Sequence, residues 1–121
     1  MIKILIADAQ YLVRIGLINL LAATKDFKMV GEAVNSSELI QLTKEQHPDV
    51  VIFDYNSEKN FLQEDIETVK KISPKTNFLI ISADDSKSNI YKAIELGAVS
   101  FLTKECDKEE IVGAIYATAK N

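Results

Sequence analysis

The stretch Ile4–Gln10, ILIADAQ, decides how the chain is read. Four apolar residues, Ile4, Leu5, Ile6 and Ala7, run unbroken into one carboxylate, Asp8, and the next residue, Ala9, carries no charge. A strand apolar at every position is buried on both faces, which is the condition of a parallel sheet with helices on each side. Asp8 then stands where the chain leaves that sheet.

The same pattern recurs along the chain. FKMVGEA (27–33), DVVIFD (49–54), TNFLIIS (76–82) and SFLT (100–103) read as further strands. Helices are expected over 10–24, 36–47, 61–73, 86–97 and from Asp107 to about Ala119. Leu62, Ile66, Val69 and Ile72 recur at helical spacing. Asn35 with Glu38, and Asp107 with Glu110, are placed as capping boxes. Pro48 closes the second helix and Gly97 the fourth. The result is (βα)5, an α/β domain whose five parallel strands carry helices on both faces. Right-handed crossovers leave few topologies.

Composition bounds the function. The 121 residues make one domain, 47% apolar and 26% charged, with a net charge of −4. There is no basic run or aromatic-basic stripe, so this chain alone is not expected to hold nucleic acid. No apolar run reaches the roughly 18 residues of a membrane helix, and no signal peptide is visible. One cysteine, Cys106, excludes an internal disulfide and a cysteine zinc cluster; it suits a reducing cytoplasm and reads as a packing residue. The single histidine, His47, reads as a solvated helix end.

In such a sheet ligands bind beyond the carboxyl ends of the strands. Asp8, Asp54, Ser82 and Lys104 all fall there. No glycine-rich turn follows the first strand and no Ser-His pair is present, which disfavours a nucleotide site or acyl transfer. Taken singly, an acid or a serine at a strand end is often a helix cap and a lysine a solvated charge. As a set they fit one chemistry. A carboxylate can accept a phosphoryl group as a nucleophile, and lysine, hydroxyl and cation neutralise its oxygens.

With those residues in view, the sequence resembles a response-regulator receiver domain of two-component signalling over about residues 2–119. ILIADAQYLVRIGLINLL is similar to the start of receivers attached to LuxR-type (NarL-type) helix-turn-helix domains. PDVVIFD resembles the phosphoacceptor strand, which puts Asp54 at the phosphorylated position; FLTKECDKEEIVGAI resembles the fifth strand and last helix. The resemblance implies a flavodoxin-like sheet of order 2-1-3-4-5. It makes Ser82 and Lys104 partners of the phosphoryl group, with Ser82 and Phe101 as the switch pair. It implies Mg²⁺ held by Asp8, Asp54 and the backbone carbonyl of Asn56.

Three departures stand out. Ala9 replaces the second acid of the usual pair, so weakened Mg²⁺ binding is expected. Ser57–Leu62 replace the family's usual proline-glycine loop, and Gln10 and Tyr11 a usual His-Pro. The leading reading is a non-enzymatic receiver, at most weakly self-catalysing phosphotransfer and dephosphorylation. A histidine kinase would phosphorylate it on Asp54 to control transcription. Its DNA contact would come only from an output domain outside residues 1–121. The alternative is a phosphorylation-independent dimerisation or docking module. Leu12, Ile15 and Ile18 form a second apolar track on the first helix, and Val112 and Tyr116 lie on a second row of the last. They suggest a homodimer face, as the resemblance also implies, unless both tracks are simply buried.

Overall fold

The computed structural model describes residues 1–54, 61–62, 64–83 and 87–121, without the side chains of 87–89. Asn56 and most of the unusual 57–62 loop therefore lie outside the described residues. Strands and helices alternate as β1 (Ile2–Ala7), α1 (Tyr11–Ala22), β2 (Phe27–Ala33), α2 (Ser36–Gln46), β3 (Val50–Asp54), α3 (Glu64–Ile72), β4 (Asn77–Ser82), α4 (Lys87–Glu95), β5 (Ser100–Thr103) and α5 (Lys108–Ala119). All four strand pairings are parallel and the order is β2-β1-β3-β4-β5, the flavodoxin-like arrangement.

The two-residue period of a strand divides the apolar residues between two cores. Ile4, Ile6, Val50, Ile52, Leu79 and Ile81 face one side and meet Leu21 of α1 and Ile111 and Ile115 of α5. Leu5, Ala7, Val51, Phe53, Phe78 and Ile80 face the other and meet Leu39 of α2, Ile66 and Val69 of α3 and Ala93 of α4. Phe53 packs edge-on against Phe61 and Phe78, with ring centroids 5.4 and 5.5 Å apart. Gly31 in β2 permits close approach: a Cβ there would lie 3.0 Å from the side chains of Leu5 and Leu42.

Helix ends follow local chemistry. At α5 the capping box is complete: Asp107 accepts the Glu110 N–H at 2.8 Å, and Glu110 accepts the Asp107 N–H at 3.2 Å. At α2 only half of the expected box forms. Asn35 accepts the Glu38 N–H at 2.9 Å, but the Glu38 carboxylate takes the N–H of Val34 instead of that of Asn35. His47 ends α2 in the left-handed region at φ 45°, ahead of Pro48, and Gly97 follows α4 at φ 97°. The helices are a little shorter than the sequence periodicity suggests. Among the described residues no helix is long and apolar enough to cross a membrane.

Candidate functional site

Parallel strands deliver their ends to one edge of the sheet. Asp8 follows β1 and extends its pairing with β2 through an N–H bond to the Ala33 carbonyl at 3.1 Å. Asp54 is the last residue of β3, and Ser82 the last of β4. Lys104 follows β5, and its N–H donates to the Ser82 carbonyl at 2.9 Å. Its side chain then crosses the sheet edge. The ammonium lies 3.1 Å from Oδ2 of Asp54 and 3.4 Å from Oδ2 of Asp8, and donates to Oε1 of Gln10. Asp8 and Ser82 are 0% exposed and Asp54 2%. Lys104 thus meets Asp8 and Asp54 in one buried polar hollow, and Ser82, also buried, adjoins it through its main-chain carbonyl.

Two buried carboxylates beside one ammonium leave a negative charge when all three ionise. Burial pushes the Asp8 carboxyl up to about 6. The neighbouring Asp54 charge adds to that rise, while the Gln10 N–H and the Lys104 ammonium oppose it.

The donors suit a small hard cation. Oδ1 of Asp8 accepts the Gln10 N–H at 2.8 Å, while its buried Oδ2 makes no hydrogen bond and lies 3.4 Å from the lysine ammonium, with the Asp54 carboxylate as a neighbour. A bare carboxylate oxygen next to a second carboxylate is the oxygen chemistry Mg²⁺ takes, with water completing the octahedron. Among the described residues no three acids, histidines or cysteines gather into a metal cluster. Ala9, where a second acid would stand, instead packs against the α2–α4 side of the core.

Phe101 is half-buried against that same core. Of the second apolar tracks, Ile18, Val112 and Tyr116 lean on the α1–α5 core. Tyr116 lies tilted against Phe27, ring centroids 5.1 Å apart, and donates its hydroxyl to Asp26 at 2.7 Å. Ile15 is half-buried, and Leu12 stands 81% exposed. The most prominent apolar residue of the suggested face is therefore Leu12.

Gln10 and Arg14 belong to the site although nothing in their spacing marks them. Gln10 contributes its N–H to Asp8 and its side-chain oxygen to Lys104. Arg14, one of two buried residues of α1, donates to the Asp8 main-chain carbonyl at 2.9 Å and pairs with Glu32 at 3.1 Å. The available signal was an arginine within an otherwise apolar turn of helix.

This geometry has close counterparts. Residues 4–116 match the response regulator receiver domain. The chain is 38% identical to the transcriptional regulatory protein LiaR of Bacillus subtilis, covering 99% of this chain and 57% of that protein. It is 28% identical to the response regulator protein VraR of Staphylococcus aureus, covering 98% of this chain and 57% of that one. The chain thus spans little more than half the length of these relatives. The signal receiver domain of NarL from Mycobacterium tuberculosis superposes with a TM-score of 0.90 at 30% identity, covering 99% of this chain and 97% of that one. With the fold, the strand order and the similarity all in agreement, the chain belongs to the response regulator receiver domain family, on the NarL/LuxR-type branch of two-component regulators.

Proposed function

We propose that this domain accepts a phosphoryl group on Asp54 from a partner histidine kinase or a small phosphodonor, and thereby switches a cytoplasmic transcription regulator. The observation that carries the reading is the Lys104 ammonium held 3.1 Å from Asp54 and 3.4 Å from Asp8 in a buried hollow. A cation at that point neutralises the charge that develops on a transferring phosphoryl group.

A carboxylate oxygen of Asp54 forms the new O–P bond as the bond from phosphorus to the donor's leaving atom breaks. Lys104 leaves its carboxylate partners to pair with a phosphoryl oxygen, and the Ser82 hydroxyl donates to another. Phe101 follows Ser82 inward, changing the face made by α4, β5 and α5, a two-state element biased by local charge. Asp8 and Asp54, with the Asn56 carbonyl, would hold Mg²⁺. That ion supplies charge neutralisation at the phosphoryl oxygens. With Ala9 contributing no charge, the affinity is set by two carboxylates and is weak. The full-length protein would dimerise through Leu12 and Ile15 on α1, flanked by Ile18, Val112 and Tyr116. It would contact DNA through an output domain. The docking-module alternative does not require the Lys104 ammonium to be held between Asp8 and Asp54, so that contact lends it no support.

The test is incubation with acetyl phosphate and Mg²⁺ followed by mass spectrometry of the intact protein. One added phosphoryl group is expected, and Asp54→Asn abolishes it. No adduct on the wild type after hours would remove the proposal.

A further inference from the structure

Asp8 is held at three points. Its N–H bonds to Ala33, its Oδ1 accepts the Gln10 N–H, and its carbonyl accepts Nη1 of Arg14 at 2.9 Å. Only the last bond comes from a side chain. Arg14 is 9% exposed; its Nε pairs with Oε1 of Glu32 on β2 at 3.1 Å, and its guanidinium lies 5.7 Å from the centre of the Tyr11 ring. A buried guanidinium is costly to desolvate, and an apolar side chain of similar size is often at least as stable there. The fork of donors accounts for its presence. One arm is anchored on β2 and the other grips the peptide unit joining Asp8 to Ala9.

That peptide unit sets the aim of the one carboxylate left at the end of β1. We infer that Arg14 is a positioning residue for cation binding: it braces the Asp8 peptide unit so that Oδ2 faces Asp54. The inference rests on the phosphoacceptor reading only in that the bound cation serves phosphoryl acceptance.

The bracing role has a signature that charge alone would reverse. Removing a cation next to a cation site, and leaving Glu32 unpaired, should tighten Mg²⁺ binding if electrostatics dominated. Loss of positioning weakens it. The experiment is an MgCl₂ titration of ¹⁵N-labelled protein followed at the Ala9 and Gln10 amides, with hydrogen exchange at the Gln10 amide as a second readout. Arg14→Met is expected to raise the half-saturating Mg²⁺ concentration about tenfold, the scale of lost supporting contacts at metal sites, and to speed exchange at Gln10. Arg14→Lys recovers part of the loss. Arg14→Lys, which keeps the charge but loses the fork, decides the matter if Arg14→Met does not fold; Glu32→Gln, which also removes a negative charge, is read by hydrogen exchange at Gln10, where freeing one arm of the arginine is expected to speed exchange. Unchanged or tighter Mg²⁺ binding in the folded Arg14 variants would overturn the inference, as would a wild type with no saturable response. A wild type that binds Mg²⁺, with the loss in Arg14→Met, but takes no phosphoryl group from acetyl phosphate would overturn the phosphoacceptor reading and leave the bracing role standing.

Discussion

The ammonium of Lys104 lies 3.1 Å from Oδ2 of Asp54, although Asp54 ends β3, Lys104 follows β5, and β4 runs between those strands. A lysine that reaches across a neighbouring strand to a 2%-exposed carboxylate is a preformed counter-charge, in place before any phosphoryl group arrives. The same ammonium serves Asp8 and Gln10, so phosphoryl transfer would exchange one set of oxygens around it for another.

The crowding of carboxylates has a stability consequence. Asp8 is raised from 3.8 to about 6 by burial first and by Asp54 second. Between those values the unfolded chain is ionised at this residue while the native protein keeps its proton, so stability falls as pH rises from about 4 to about 6 and then levels off. Asp8→Asn has no such titration. It is expected to be more stable than wild type by on the order of 1–2 kcal/mol at pH 7.5, with little difference at pH 4. Thermal unfolding of both proteins across this range checks the prediction; a gap that widens towards low pH would contradict it.

Restoring the missing acid should strengthen the cation site. Ala9→Asp is expected to raise Mg²⁺ affinity at least ~10-fold, judged by the size of effects from supporting contacts alone. In EDTA the same variant should melt several degrees below wild type, because a third carboxylate then joins two that already share the single Lys104 ammonium. Calorimetric titration and melting curves with and without Mg²⁺ report both effects. Equal affinities would mean that position 9 does not face the ion.

Leu12 is the side chain to alter for the proposed dimer. It is 81% exposed, so Leu12→Glu costs the fold little, under about 0.5 kcal/mol. Sedimentation velocity is expected to show Leu12→Glu/Ile15→Glu as a monomer where the phosphorylated wild type is a dimer. An unchanged sedimentation coefficient would place the contact elsewhere.

Asp107 closes its capping box with Glu110 at 2.8 and 3.2 Å. Asp107→Ala should lower unfolding free energy by about 1 kcal/mol. Urea denaturation measures this directly, and a loss below a few tenths would mean that water replaces the cap.

What could be read from the chain divides by range. Signals within a few residues gave the strands FKMVGEA and SFLT at their observed bounds and the α5 cap as it stands. Parallel strands must bring their ends to one edge, so Asp8, Asp54, Ser82 and Lys104 could be grouped before any coordinates. Contacts between distant residues could not be read. Gln10 and Lys104 are 94 positions apart, and no periodicity joins them. Arg14 reads as a polar interruption of an apolar helix until Glu32 and the Asp8 carbonyl stand beside it. Glu38 bonds to Val34 in place of its cap residue because a choice of one residue in bond geometry lies below the resolution of a motif. Apolar tracks likewise do not say which residue tilts outward, and it is Leu12 that does while Ile18 leans on the core.

The most direct measurement is a crystal structure of the domain with Mg²⁺ and beryllofluoride. The account predicts density continuous with a carboxylate oxygen of Asp54, with the Lys104 ammonium shifted off Asp8 and Gln10 onto a fluoride. An unmodified Asp54 with Lys104 still bridging the two aspartates, at saturating beryllofluoride and high Mg²⁺, would contradict it.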